Sequence, residues 1–336
     1  MTPFRVEVTR GPLVESVHRI SAAIVDRSGR LIASAGNPEL VTYWRSAAKP
    51  FQALPLVEDG VMERFGFGPE ELALACASHS SEPVHLRIAD RMLERIGCTE
   101  NHLACGPHPV LSPAVAAQVA EQHIQLTPRW SNCSGKHAGM LALARHHGWS
   151  LEGYERRGHP VQNRLLAAIA QWTGLDAGAI VLGVDGCTTV CFGLPLVAMA
   201  RAYSALAQGS SAALATVRDT MMRHPELVAG EGRFCTDLMR ALPGEVVAKV
   251  GADGIQCAAL PSAGVGIALK IEDGSFALSG IALLGVLDQL APQLPASARL
   301  PNGALQSWRH IEVHNTRGVT VGDIRVTGTL RFHDAG

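Results

Sequence analysis

Lysine is scarce in this chain. Of 29 basic residues only four are lysine, Lys49, Lys136, Lys249 and Lys270, and the rest are arginine. An arginine- and alanine-heavy composition follows from a GC-rich genome and says nothing of function; the scarcity makes each lysine worth following. A buried amine near other cations can lose its proton and a guanidinium effectively cannot, so a site that needs a neutral base or ligand amine has to keep lysine. An excess of one charge is absent too: 29 basic and 30 acidic residues leave a net charge of −1 with no basic run. That balance argues against a nucleic-acid or anionic-membrane partner. Polar or charged residues interrupt every apolar stretch well short of a membrane span. The opening stretch, MTPFRVEVTRGPLVESVHR, lacks the apolar core of a secretory signal, which predicts a cytoplasmic protein. Eight cysteines over 336 residues are too sparse for a disulfide scaffold, so in a reducing compartment they are buried thiols or ligands.

What is present is enough for a real core. At 47% hydrophobic and 18% charged the chain is far from the disordered regime, and its length suits one large domain or two moderate ones. Val17 to Val25 and Arg30 to Ala35 read as two strands around an Asp26–Gly29 turn. Helical patterns begin near Ser46, at Pro69, over Glu82–Ile96, over Pro113–His123 with Ser112 as N-cap, and over Pro160–Trp172. A polar turn, Ser131 to His137, feeds a further helix. A short apolar strand, Ile180 to Val184, runs into Asp185-Gly186-Cys187. Ala-rich helices span Leu196–Arg223. Strands return at Val246–Val250, Ala258–Leu260, Gly266–Ile271 and Phe276–Ser279, followed by a helix over Ile281–Leu290 and a strand over Asp323–Phe332. The expected fold is α/β (α+β), one domain over 1–336. Its sheet is drawn from roughly 1–45 and 245–336, with a mostly helical lobe over 46–244.

Several motifs carry chemistry. Ser46-Ala47-Ala48-Lys49 is an S-x-x-K, and on a helix positions i and i+3 share a face, which lets a neutral amine take a serine proton. Chance alone produces such a match in about one chain in four of this composition, and a helix-start serine beside a surface lysine is the plain alternative. Ala77-Ser78-His79-Ser80-Ser81 supplies a hydroxyl cluster, and Lys249-Val250-Gly251 is a strand-borne K-x-G. The same order of elements occurs in penicillin-recognising serine enzymes. Cys133, Lys136 and His137 with Asp185 and Cys187 form a second constellation, in which thiolates and an amine suit zinc. Against it stand the lack of C-x-x-C and H-E-x-x-H spacings and the competing reading of buried thiols. Lys136 lies near a helix start, where the helix dipole disfavours an ammonium. G-x-S-x-G, P-loop and G-x-G-x-x-G signatures are all missing.

Taken in order, Arg45-Ser46-Ala47-Ala48-Lys49-Pro50, Ala77 to Glu82, Ser131-Asn132-Cys133-Ser134-Gly135-Lys136-His137, Asp185-Gly186-Cys187, His224-Pro225-Glu226 with Val228 to Arg233, and Lys249 to Asp253 resemble the Rhizobium etli-type (class 3) L-asparaginases across nearly the whole chain. The resemblance implies a fold related to glutaminases and serine β-lactamases. It implies hydrolysis of L-asparagine to L-aspartate and ammonia by two Ser–Lys pairs, Ser46 with Lys49 and Ser78 with Lys249. It implies one zinc ion on Cys133, Lys136 and Cys187 that serves substrate affinity more than bond breaking, and a homodimer. Arg45, Asn132, His137, Asp185 and Glu231 are the candidates for gripping the substrate's α-amino and α-carboxylate groups. Lys270 is left without a role and is expected on the surface. The rival readings are a β-lactamase or transpeptidase-like acyltransferase and a non-catalytic, zinc-dependent amino-acid-binding module.

Overall fold

The computed structural model describes residues 2–334, and the chain is a mixed α/β protein made of two compact units. One unit gathers the chain up to Thr42, Leu194–Gln208 and everything from Asp237 on; the other holds Tyr43–Gly193 and Gly209–Thr236.

The first unit is a nine-stranded antiparallel sheet. Its strands are β1 (Arg5–Arg10), β2 (Leu13–Val25), β3 (Leu31–Ala35), β7 (Val247–Gly251), β8 (Ile255–Leu260), β9 (Val265–Ile271), β10 (Ile311–His314), β11 (Thr320–Thr327) and β12 (Arg331–Phe332), with β4 to β6 lying outside it. The order β10-β11-β1-β2-β9-β8-β7 places N- and C-terminal strands side by side, and β3 links β2 to β12. β2 changes partners along its length: Leu13–Arg19 pairs β1, and Ile20–Val25 pairs β9. Ile20 to Val25 and all of β7, β8 and β9 are buried, the continuous apolar pattern of strands covered on both faces. The Leu196–Gln208 helix lies across β2, β8 and β9, and the Ser279–Leu290 helix packs on β8, β9 and β11. Gly266 permits the first of these contacts: a Cβ there would stand 2.0 Å from the Ala200 carbonyl oxygen.

The second unit is mostly helical. The Ser134–His147 helix runs through its centre, buried at every residue from Ser134 to Ala144, and is enclosed by the Pro69–Ala75, Pro83–Arg95 and Pro160–Thr173 helices. A helix apolar all round has to be enclosed. Its smaller sheet has the order β4 (Val41–Tyr43), β6 (Val190–Pro195), β5 (Val181–Val184).

The expected elements mostly form, with several differences. Phe276–Ser279 is no strand; it is a turn leading into the Ser279–Leu290 helix, because strand β9 already ends the apolar run at Ile271. The Leu196–Gln208 helix belongs with the sheet rather than the helical lobe, since its apolar face is the one that covers β9. β1, β4, β6 and β10 were not expected, and the expected strand over Asp323–Phe332 forms as two, β11 and β12. Lys270 is buried rather than on the surface: its Nζ donates to the carbonyls of Asp253 and Ile271, so backbone dipoles take the place of water. Among the described residues no helix is long and apolar enough to cross a membrane.

Candidate active site

The second unit brings most of the candidate residues together. The S-x-x-K begins in a 3₁₀ turn, Arg45–Ala48, and passes into a short helix at Lys49. In a 3₁₀ turn residues i and i+3 eclipse, so Ser46 and Lys49 line one face, and the Lys49 N–H donates to the Ser46 carbonyl. The Lys49 side chain is 1% exposed. Its Nζ donates to the Ala77 carbonyl, to Ser78 Oγ at 3.1 Å and to Cys133 Sγ at 3.2 Å, and it has no carboxylate partner among the described residues. The amine expected to serve Ser46 is therefore hydrogen-bonded to the second candidate serine. Ser46 is only half-buried, whereas Ser78 is enclosed.

The Ser78 loop is held from both sides. The Ser78 N–H donates to Val228 O at 2.9 Å and the His79 N–H to Asn132 O at 3.2 Å. His79 accepts the Ser81 N–H at Nδ1, so its Nε2 donates to Ser134 Oγ at 2.9 Å. Ser80 Oγ donates to Ala229 O and accepts from Arg233 Nη1 at 3.0 Å; Ser81 Oγ donates to Trp130 O. Of the hydroxyl cluster, Ser80 and Ser81 are thus engaged with backbone carbonyls and Ser78 with Lys49. Glu231 is exposed, and its backbone N–H is fixed by Glu82 Oε1 at 3.0 Å.

The second constellation adjoins the first through Cys133. Its Sγ lies 3.1 Å from Asn132 Oδ1 and hydrogen-bonds the sulfur of Cys187, which accepts from Lys136 Nζ at 2.9 Å. The hydrogen bond from Cys133 and the Lys136 ammonium outweigh burial and lower the Cys187 thiol to about 5. The same contact, with burial, pushes Cys133 up to about 12. Burial opposes the Lys136 charge, yet the two sulfurs and Asp185 hold its pKa above the ordinary lysine value. Two sulfurs and an amine in mutual contact are a donor set that zinc accepts. No group of three or more His, Cys, Asp or Glu among the described residues is arranged for a metal, so any ion here needs the lysine.

Asp185 sits in the β5–β6 hairpin, where Oδ1 accepts from Arg45 Nε at 2.8 Å and from the Gly186 N–H at 2.8 Å. Burial would raise its carboxyl, but Lys136 and Arg45 hold it below the usual range. His137 is fully enclosed; burial and the Lys136 ammonium push it down to about 3, so the ring is neutral. Lys249 stands in the other unit, buried on β7, with Nζ donating to Val250 O at 3.0 Å.

Backbone strain concentrates in these motifs. Six non-glycine residues among those described have positive φ. Arg45 (52°), Ser81 (58°) and Thr188 (75°) fall in or beside the motifs of the second unit, and Asp253 (55°) closes the one that begins at Lys249. Such conformations cost about 1–3 kcal/mol each and gather at functional sites. Cys105 and Tyr154 also belong to this neighbourhood and had no sequence signal: Cys105 is a buried thiol that interacts with Cys133 and Cys187, and neither residue falls in a recognisable spacing.

No curated protein sequence matches the chain. Solved structures similar to it include Mglu in its tris and glutamate form, at 18% identity over 86% of this chain and 61% of that one, TM-score 0.36. A putative β-lactamase from Bacteroides dorei matches at 13% identity over 85% and 93%, TM-score 0.40. The chain thus spans about 61% of the length of the Mglu chain. The family described as L-asparaginase II matches residues 6–326. With nearly its whole length covered, the chain belongs to the L-asparaginase II family.

Proposed function

We propose that the protein hydrolyses L-asparagine to L-aspartate and ammonia, with Ser46 as nucleophile and Lys49 as the base it shares with Ser78. The observation that carries this reading is the placement of Lys49, one 3₁₀ turn beyond Ser46, enclosed, and bonded to Ser78 Oγ. Ser46 is the serine a substrate reaches, because Ser78 is buried behind its contact with the amine. In the first step Lys49, acting as the base, takes the Ser46 proton as Oγ bonds to the side-chain amide carbon. The tetrahedral adduct collapses, Lys49 returns the proton to the departing nitrogen, and ammonia leaves an acyl-serine. Water, deprotonated by the same amine, then releases aspartate and restores Ser46. Ser78, bonded to Lys49, steadies the amine and passes protons to it. Lys249 takes its catalytic role from the family resemblance.

Cys133, Lys136 and Cys187 would hold zinc. When bound, the ion supplies a positive charge that draws and orients electron-rich groups of the substrate. Arg45, Asn132, His137, Asp185 and Glu231 are assigned to substrate recognition, Arg45 and Asp185 acting as a pair. The homodimer and the cytoplasmic setting come with the same reading.

Ammonia release from L-asparagine, with L-glutamine and nitrocefin alongside, tests the proposal on wild type and Ser46→Ala. Wild-type turnover of asparagine, with a loss of at least about 10³-fold in the variant at unchanged folding, is the expected result. Near-normal activity in Ser46→Ala removes the nucleophile, and nitrocefin turnover without ammonia release replaces the substrate.

A further inference from the structure

Tyr154 lies outside every motif and is enclosed, with 1% of its surface exposed. Its hydroxyl has two neighbours, the Ala104 backbone nitrogen at 2.9 Å and His137 Nδ1 at 2.7 Å. A backbone N–H only donates, so the phenol oxygen accepts from Ala104, and of its two neighbours only Nδ1 can take the enclosed hydroxyl's proton, which would otherwise lack an acceptor. An Nδ1 that accepts a hydrogen bond carries no proton, so the proton of the ring lies on Nε2. That Nε2 is enclosed and has no hydrogen-bond partner among the described residues. An enclosed donor without an acceptor is unfavourable, and its natural complement is an electron-rich oxygen.

The same tyrosine is tied to the loop that carries Cys187 by two separate chains. Its hydroxyl holds the Ala104 N–H, while the Ala104 carbonyl accepts from Thr188 Oγ at 2.9 Å. Its carbonyl accepts from Gln162 Nε2 at 2.8 Å, and Gln162 Oε1 accepts from Thr189 Oγ1 at 3.3 Å. Both chains end on the two residues that follow Cys187, one of them the strained Thr188.

We infer that Tyr154 is a positioning residue: its hydroxyl locks His137 in the tautomer that offers Nε2–H to a carboxylate oxygen of the bound amino acid, and ties that ring to the Cys187 loop. The inference deepens the asparagine reading and rests on it for the identity of the acceptor; the tautomer itself does not depend on that reading. Replacing the hydroxyl by hydrogen leaves the ring of residue 154 in place and frees Nδ1 from its only donor.

The test is Tyr154→Phe, followed in two ways. In ¹⁵N–¹H imidazole spectra of the full-length protein, one histidine loses its pure Nε2–H pattern in the variant while the others keep theirs. In steady-state kinetics the KM for L-asparagine rises about tenfold, the size of loss expected when a supporting hydrogen bond is removed, with kcat within about twofold. An unchanged imidazole pattern overturns the inference, as does a fall in kcat at constant KM, which marks a structural role only. Should Tyr154→Phe not fold, the wild-type spectrum decides: with fourteen histidines in the chain, a buried ring protonated on Nδ1 and assigned to His137 by His137→Gln overturns it. If wild type releases no ammonia from asparagine, the asparagine reading fails and the imidazole pattern still tests the tautomer.

Discussion

Asp185→Asn probes the contact that holds the backbone just before Ser46. Asp185 Oδ1 accepts from both Arg45 and the Gly186 N–H, and its side chain is 11% exposed against 23% for Arg45. The amide keeps an acceptor oxygen for both donors and removes only the charge. A hydrogen bond to a charged partner contributes about 1.5–3 kcal/mol and a neutral one about 0.5–1.5, so the loss is about 1–2 kcal/mol after allowing for solvent at Arg45. For a unit of this size that lowers Tm by about 2–8 °C. The pH dependence follows from the sign of the shift. The folded carboxyl is held below its ordinary value by Lys136 and Arg45 against the opposing effect of burial. Its contribution is therefore complete above the unfolded pKa of about 3.9 and is lost as pH falls through the lower, folded pKa. Calorimetry of wild type and variant between pH 7 and pH 3 measures this directly. The gap in Tm should be constant from pH 7 to about 5 and close below about 4. A variant as stable as wild type at pH 7, or a gap that persists unchanged under acid, refutes the account of this pair.

Three further outcomes are expected. Gly135→Ala should destabilise the second unit by about 1–3 kcal/mol even though alanine favours a helix, because the added Cβ would lie 2.4 Å from the Leu74 carbonyl oxygen; a raised Tm contradicts the close approach. Lys270→Met should lower Tm of the sheet unit at a cost of about 1–3 kcal/mol, since two buried carbonyls lose their donor; an unchanged Tm returns Lys270 to the surface. Cys187→Ser, or dialysis of wild type against a chelator, should raise KM for asparagine more than it lowers kcat, with zinc restoring only the dialysed wild type; equal kinetics before and after chelation, with no zinc found by elemental analysis, removes the ion from the proposal.

Local patterns were legible wherever one physical signal dominated. The Asp26–Gly29 turn, the proline-started helices and the strand running into Asp185 all form close to where the sequence places them. The edge strand β10 was not: it alternates half-buried and exposed residues over only four positions, too short a run to stand out from a loop. The motifs marked Lys49, Ser78, Cys133, Lys136 and Cys187 as candidates, each in a turn feeding a helix or at a strand end, and these side chains lie in contact with one another. They did not predict partner choice. A spacing of three residues says that Ser46 and Lys49 share a face, but the direction of a long, flexible amine is set by what encloses it, here the Ala77 carbonyl, Ser78 and Cys133. Lys270 was misplaced for a related reason: a lysine near the end of an apolar strand reads as solvent-facing unless the carbonyl that will receive it, 17 residues away at Asp253, is known. Tyr154 and Cys105 act through tertiary hydrogen bonds and proximity alone, so no local pattern announces them.

The strand order of the larger sheet has a consequence for how the protein is made. Arg5 of β1 pairs with Thr327 of β11, and Ile20 of β2 with Ile271 of β9. A ribosome adding about 5–20 residues per second completes β11 roughly 15–60 s after β1 has been made. Throughout that interval β1 and β2 can pair with each other, but the inner half of β2, apolar on both faces, has no β9 to cover it. The segment Tyr43–Gly193, by contrast, is complete while the sheet still lacks most of its strands. Synthesis therefore presents the helical core first and leaves a sticky hairpin waiting, which makes the nascent chain a client for holding chaperones and makes slow translation upstream of β9 a hazard for yield.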